Sequence, residues 1–141
     1  MSRKIQYLIC LLCLVSISCS NSPEQKIEHL DGYWEITKAE KNGSLLKTYN
    51  ISPTVDYFEL INDTAGYRKK VAPTLEGTYI VNKDSARFTL KIENDSLNIY
   101  YTSNELIIKE TIVKASKNKL IITNAEGFKY TYKPYEKIDI K

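Results

Sequence analysis

The side chains best able to do covalent chemistry are the cysteines, and their placement removes most of it. All three, Cys10, Cys13 and Cys19, lie in the first 19 residues of a 141-residue chain. A domain beyond them has no disulfide framework and no thiol nucleophile. His29 is the only histidine. With no ligand or orienting partner placed near it in sequence, it reads as an exposed or capping residue. The remaining acid-base candidates are carboxylates: Asp56 and Glu59 on one expected strand, and Glu76 and Glu110 beside apolar positions. Two of them could hydrolyse a substrate if they met at about 5 to 9 Å in a cleft. Nothing in their spacing requires it, so they are expected as solvated or rim charges, with Glu59 and Glu110 the two that some strand registers turn inward. No Gly-x-Ser-x-Gly elbow, phosphate loop or His-Glu-x-x-His motif occurs. The expectation is a protein that is not an enzyme, with no catalytic residue, metal ligand or cofactor to assign.

The aromatic residues stand out more. Of 11 tyrosines all but Tyr7 follow the last cysteine. Tyrosine joins an apolar body to a polar tip. Alternation places Trp34, Phe58, Tyr79, Phe88, Tyr101, Phe128 and Tyr130 on one presumed inner face, with Tyr132 beside them. Such a lining suits a small apolar or amphipathic ligand, such as a lipid tail, sterol, pigment or sugar. Equally, the rings could fill the interior themselves, because an eight-stranded barrel is just wide enough for either.

What must position these rings is a set of strands. From Trp34 onward the period is two, with turn residues every 8 to 12 positions, the pattern of an antiparallel meander. Asp31-Gly32 leads into a strand that runs to about Glu40 and turns at Asn42-Gly43, a tight-hairpin dipeptide. Strands are expected over 45–50, 55–61, 76–81 with a bend at Gly77, 87–92, 97–102, 106–113, 118–122 and 128–133. The basic stretch Tyr67 to Ala72 reads as an edge strand or a loop strand near a barrel mouth. Leu106 to Val113 is apolar on both faces, which suggests contact outside the barrel as well as within it. Eight to ten strands over residues 31–135 favour an all-β fold, a small antiparallel up-and-down barrel, because closure removes exposed edges and the connections are too short for crossings. Residues 136–141 form a short tail.

The N-terminus has a different composition. Arg3 and Lys4 precede an apolar run from Ile5 to Ile17, and small residues stand before Cys19. This is the layout of a secretory signal peptide over residues 1–18, its apolar run well short of the roughly 20 residues that span a bilayer. Residues 19–30 read as a polar tether, Ser20 to Lys26, followed by one helical turn in which Ile27 and Leu30 cover an open end of the barrel. Removing the leader takes Arg3 and Lys4 from 20 basic residues and no acid from 17 acidic ones. The formal net charge of +3 and pI near 8.6 therefore argue for no nucleic-acid partner.

Two resemblances rest on these residues. Val15-Ser16-Ile17-Ser18-Cys19 resembles a bacterial lipobox, with Ser16 where leucine is usual; this implies a diacylglyceryl group on the Cys19 sulfur and cleavage before it. Gly32-x-Trp34 at the head of the first strand, with Gly77-Thr78-Tyr79 and the closing Phe128-x-Tyr130-x-Tyr132, resembles the lipocalin-like lipoproteins of Gram-negative bacteria. The chain departs from animal lipocalins in lacking their disulfide and second motif. The resemblance implies a lipid-anchored envelope lipoprotein of the outer membrane, facing the periplasm or the surface. Its partners would be the membrane, a small hydrophobic ligand and an envelope protein. The function expected is non-catalytic binding of a small ligand. The alternative is an interaction or structural module with a side-chain-filled barrel, docking through Leu106 to Val113 or the basic segment Tyr67 to Val71.

Overall fold

The computed structural model describes residues 3–4 and 21–136, the side chains of residues 82–84 and 103 excepted. Cys19, the cleavage point before it and residues 137–141 lie outside the described residues. A helix α1 (Pro23–Leu30) leads into nine strands: β1 (Gly32–Lys41), β2 (Ser44–Thr48), β3 (Val55–Asn62), β4 (Ala65–Pro73), β5 (Tyr79–Glu93), β6 (Ser96–Ser103), β7 (Leu106–Ala115), β8 (Leu120–Asn124) and β9 (Phe128–Pro134). Every pairing is antiparallel. Eight strands run in the order β1-β3-β4-β5-β6-β7-β8-β9 and close when β9 returns to β1, from Trp34↔Pro134 to Lys41↔Phe128. On its other edge β1 is shared. Gly32 to Trp34 pair with β3, and Lys38 to Lys41 pair with β2, which is a flap on the rim rather than a wall strand.

Local chemistry explains the corners. Asn42 and Gly43 have φ of +48° and +81°, and Asn94-Asp95 and Asn104-Glu105 repeat the left-handed pair, so three hairpins close in two residues with a twist that matches their strands. Gly77, expected to bend a strand, lies instead in the β4–β5 connection at φ +80°. The strands expected over 76–81 and 87–92 are one 15-residue strand with a register shift opposite Lys69 and Val71.

The helix is longer than the single turn expected. Pro23 takes the first helical position, where its missing N–H costs nothing, and Ser22 with Gln25 forms a reciprocal capping box of 3.3 and 3.1 Å. Part of the supposed tether is therefore helical. Leu30 is fully buried, and its carbonyl accepts the Trp34 indole N–H at 2.9 Å. The helix thus covers one end of the barrel, as Ile27 and Leu30 promised, resting on β6 and β7. Above it Phe58, Phe88, Leu97, Ile99, Ile112 and Ile122 pack the lower interior. The connections β4–β5, β6–β7 and β8–β9 surround the opposite end.

Candidate functional site

At mid-height the apolar filling gives way to an arginine. Arg68 is on β4, opposite Phe58 and two residues from Gly66, which pairs with Phe88, so strand alternation turns it inward. Its Nη2 donates to Asp56 Oδ2 at 2.7 Å and to the Tyr132 hydroxyl at 3.0 Å; its Nη1 donates to the Tyr101 hydroxyl at 2.8 Å and to Glu110 Oε1 at 3.1 Å. The guanidinium carbon lies 4.9 Å from the centre of the Phe58 ring, a cation–π contact. Lys70 reaches the other Asp56 oxygen at 3.0 Å. Arg68 and the exposed Lys70 thus balance the two carboxylates, with two phenols completing the shell around Arg68.

Position sets the electrostatics. The Asp56 side chain is 4% exposed and that of Arg68 is 18% exposed. Burial alone would push the Asp56 carboxyl up, but the Arg68 guanidinium and the Lys70 ammonium outweigh it and hold the acid below its usual range. Desolvation drives the Tyr101 and Tyr132 hydroxyls well above the ordinary tyrosine value against the pull of Arg68. Asp56 is therefore held ionised and both phenols are held neutral, so none of the three is poised to exchange a proton near neutral pH.

Of the predicted lining residues, Trp34, Phe58, Phe88 and Tyr101 are buried together in the core. Phe128 and Tyr130 share the inward face of β9 with Tyr132 and are half-buried nearer the end opposite α1, their rings parallel at 6.0 Å. Tyr79 does not join them. Its ring stacks at 4.4 Å on Tyr33, whose own position alternates with buried Trp34 and therefore faces outward. Tyr57 stacks on Tyr33 at 4.3 Å, making a three-ring outer pile. Continuous alternation through β5 from inward Phe88 and Leu90 puts the odd-numbered Tyr79 on the outer face, whereas a separate strand over 76–81 would carry its own phase.

Two further expectations change. Tyr67 to Ala72 is neither edge nor loop: β4 is paired on both sides, with Val71 buried and Lys69 bound to Glu59 at 2.8 Å. The basic segment is consequently no free docking strand. Glu59 faces outward, and Glu110 faces in. By contrast the apolar character of Leu106, Ile107 and Ile108 is left in solvent, at 68%, 71% and 52% exposure. Among the described residues no group of three or more His, Cys, Asp or Glu could hold a metal ion, and no helix is long and apolar enough to cross a membrane.

The geometry defines a closed antiparallel barrel with a helix at one end and a polar cluster across its middle. Residues 30–122 match the family model of the lipocalin-like domain, and the chain belongs to that family. Among solved structures it is similar to a protein from Bacteroides eggerthii described as uncharacterized, at 12% identity and a TM-score of 0.48, covering 75% of this chain and 99% of that one. It is also similar to lobster apocrustacyanin A1, at 12% identity and a TM-score of 0.42, covering 86% and 74%. No curated protein matches the chain.

Proposed function

We propose that the protein is a lipid-anchored, non-catalytic binding protein of the cell envelope, tethered to the outer membrane through Cys19, that seats a small amphipathic ligand at the barrel end opposite α1. The observation that carries the reading is the inward polar cluster on Arg68, still 18% exposed beneath half-buried Phe128 and Tyr130. The lower interior is taken by side chains, so the seat is shallow, formed by aromatic walls and a charge-balanced floor. Glu110 and the Tyr101 hydroxyl, both bound to Arg68, supply the polar groups of that floor. Neutral polar heads are favoured over ions because the floor already balances. The anchor follows from the lipobox-like segment, and two or three acyl chains exceed the single chain that binds only marginally.

Mass spectrometry of protein extracted from its native membrane tests the ligand. A single amphipathic species that is lost in Tyr130→Ala supports the reading, and an empty wild-type protein refutes it. Palmitate labelling that disappears in Cys19→Ser supports the anchor; absence of labelling in the parent chain removes it.

A second reading has its own observation. Three consecutive exposed apolar residues, Leu106 to Ile108, make the β6–β7 hairpin a docking element for an envelope protein. Crosslinking from this hairpin in intact cells is expected to capture one dominant partner. A uniform smear counts against it.

A further inference from the structure

A cleft of about 620 Å³ lies between α1 and the adjoining end of the barrel, away from the Arg68 cluster. Ile27 from the helix and Leu60, Leu90 and Ile92 from the wall give it an apolar floor. Glu24, Glu28, Asp31 and Asp63 surround that floor, and no basic side chain lines the cleft. Glu24, Ile27 and Glu28 are spaced i, i+3, i+4, so the helix presents its acids and its apolar contact on the same face. None of the four carboxylates takes part in an ion pair among the described residues.

The walls are tied in place. Asp31 Oδ2 accepts the Leu60 N–H at 3.3 Å, fixing the helix end to β3. The Leu90 N–H donates to the Thr64 carbonyl at 2.7 Å, fixing the β3–β4 turn to β5. The cleft is therefore preformed, and its volume falls within the roughly 300 to 1,000 Å³ typical of small-molecule sites.

From this juxtaposition we infer that the α1 cleft is a second binding site, for a small organic cation with an apolar tail. An alkylammonium amphiphile lays its tail on Ile27, Leu60, Leu90 and Ile92 and brings its charge among four unneutralised carboxylates. A fatty carboxylate of equal length finds the same floor and meets like charge. A neutral alcohol gains only the apolar contact. The selectivity is therefore for sign as well as for length, which sets this cleft apart from the charge-balanced floor of the barrel.

Titration of hexyltrimethylammonium into the purified full chain in phosphatidylcholine nanodiscs, followed by methyl NMR, tests the inference. Saturable shifts are expected at Ile27, Leu60 and Ile92, with Tyr130→Ala leaving them unchanged. The exposed double variant Glu28→Lys, Asp63→Lys should weaken binding by at least about tenfold, because two attractions become repulsions. Undisturbed Ile112 and Ile122 methyls confirm that the variant is folded. Added salt should weaken the parent complex, as screening of exposed charges requires. Equal shifts with hexanoate, unchanged affinity in the double variant, or no saturable shifts at all would each overturn the site.

Discussion

Arg68 on β4 and Asp56 on β3 are diagonal neighbours on the inner face of the barrel, joined at 2.7 Å where the carboxylate side chain is 4% exposed. Taking both charges out of water is costly, and the guanidinium offsets this by meeting two carboxylates and two phenols at once. Among the described residues, removing it leaves Glu110 without a cation and Asp56 with Lys70 alone. Arg68→Ala is therefore expected to cost about 3 to 5 kcal/mol in urea unfolding, the range for a buried pair deprived of one partner. Replacing the charges together, as Arg68→Met with Asp56→Asn and Glu110→Gln, should recover more than half of that loss. A cost for Arg68→Ala below about 1 kcal/mol would mean that the cluster behaves as a surface pair.

The same pair sets an acid limit. The folded Asp56 carboxyl is held below its unfolded value by Arg68 and Lys70 against the opposing effect of burial. Its contribution is accordingly complete above the unfolded value near pH 4 and is lost as pH falls through the folded one. Urea midpoints should drop steeply below about pH 4, and Asp56→Asn should lower stability at pH 7 while flattening that drop. Tyr101 and Tyr132 act with the opposite sign. Their folded values are raised, so their contribution is complete below the unfolded value near pH 10 and is lost as pH rises beyond it. Tyr132→Phe should reduce the alkaline part of that loss.

The barrel could be read from alternation because a half-buried strand writes its two faces directly into the sequence: Phe88, Leu90 and Ile92 against Arg87, Thr89 and Lys91, and Phe128, Tyr130 and Tyr132 against Lys129, Thr131 and Lys133. The polar cluster could not. Tyr67-Arg68-Lys69-Lys70 looks like a solvated basic run, because burying an arginine becomes tolerable only when Asp56 and Glu110, the latter 42 residues away, close on it in three dimensions. One local sign existed: Arg68 shares parity with Gly66, a strand glycine, and Gly66 is where a neighbouring ring comes close. Tyr79 was misplaced because 76–81 and 87–92 read as two strands with independent phases, and only their fusion into the single strand β5 ties Tyr79 to the outward parity opposite Phe88.

Gly66 itself makes a sharp test of that packing. A Cβ added there would collide with the Glu59 backbone carbonyl and would lie 2.7 Å from Phe88 Cζ. The ring belongs to the packed interior and the carbonyl to the β3 wall, so neither can swing aside. Gly66→Ala is expected to cost about 2 to 3 kcal/mol through overpacking, read as a lower thermal midpoint. In Phe88→Leu, where the ring is gone but the carbonyl remains, Gly66→Ala should cost less than in the parent. Equal costs in the two backgrounds would assign the whole effect to the backbone contact.

The helix end offers the last test, because one hydrogen bond ties it to the barrel. The Leu30 carbonyl is at the end of α1, where the helix supplies it no partner, and the Trp34 indole N–H fills that role at 2.9 Å from inside the first strand. Trp34→Phe removes the donor but keeps an aromatic ring, leaving a buried carbonyl unsatisfied at a cost of about 1 to 3 kcal/mol. If the bond holds the helix on the barrel, the loss should be local as well as global. Amide exchange in α1 should speed up more than exchange in β6 or β7, and the α1 cleft should loosen with it. Uniform acceleration across the barrel would show that Trp34 serves as core filling and not as a clasp on the helix.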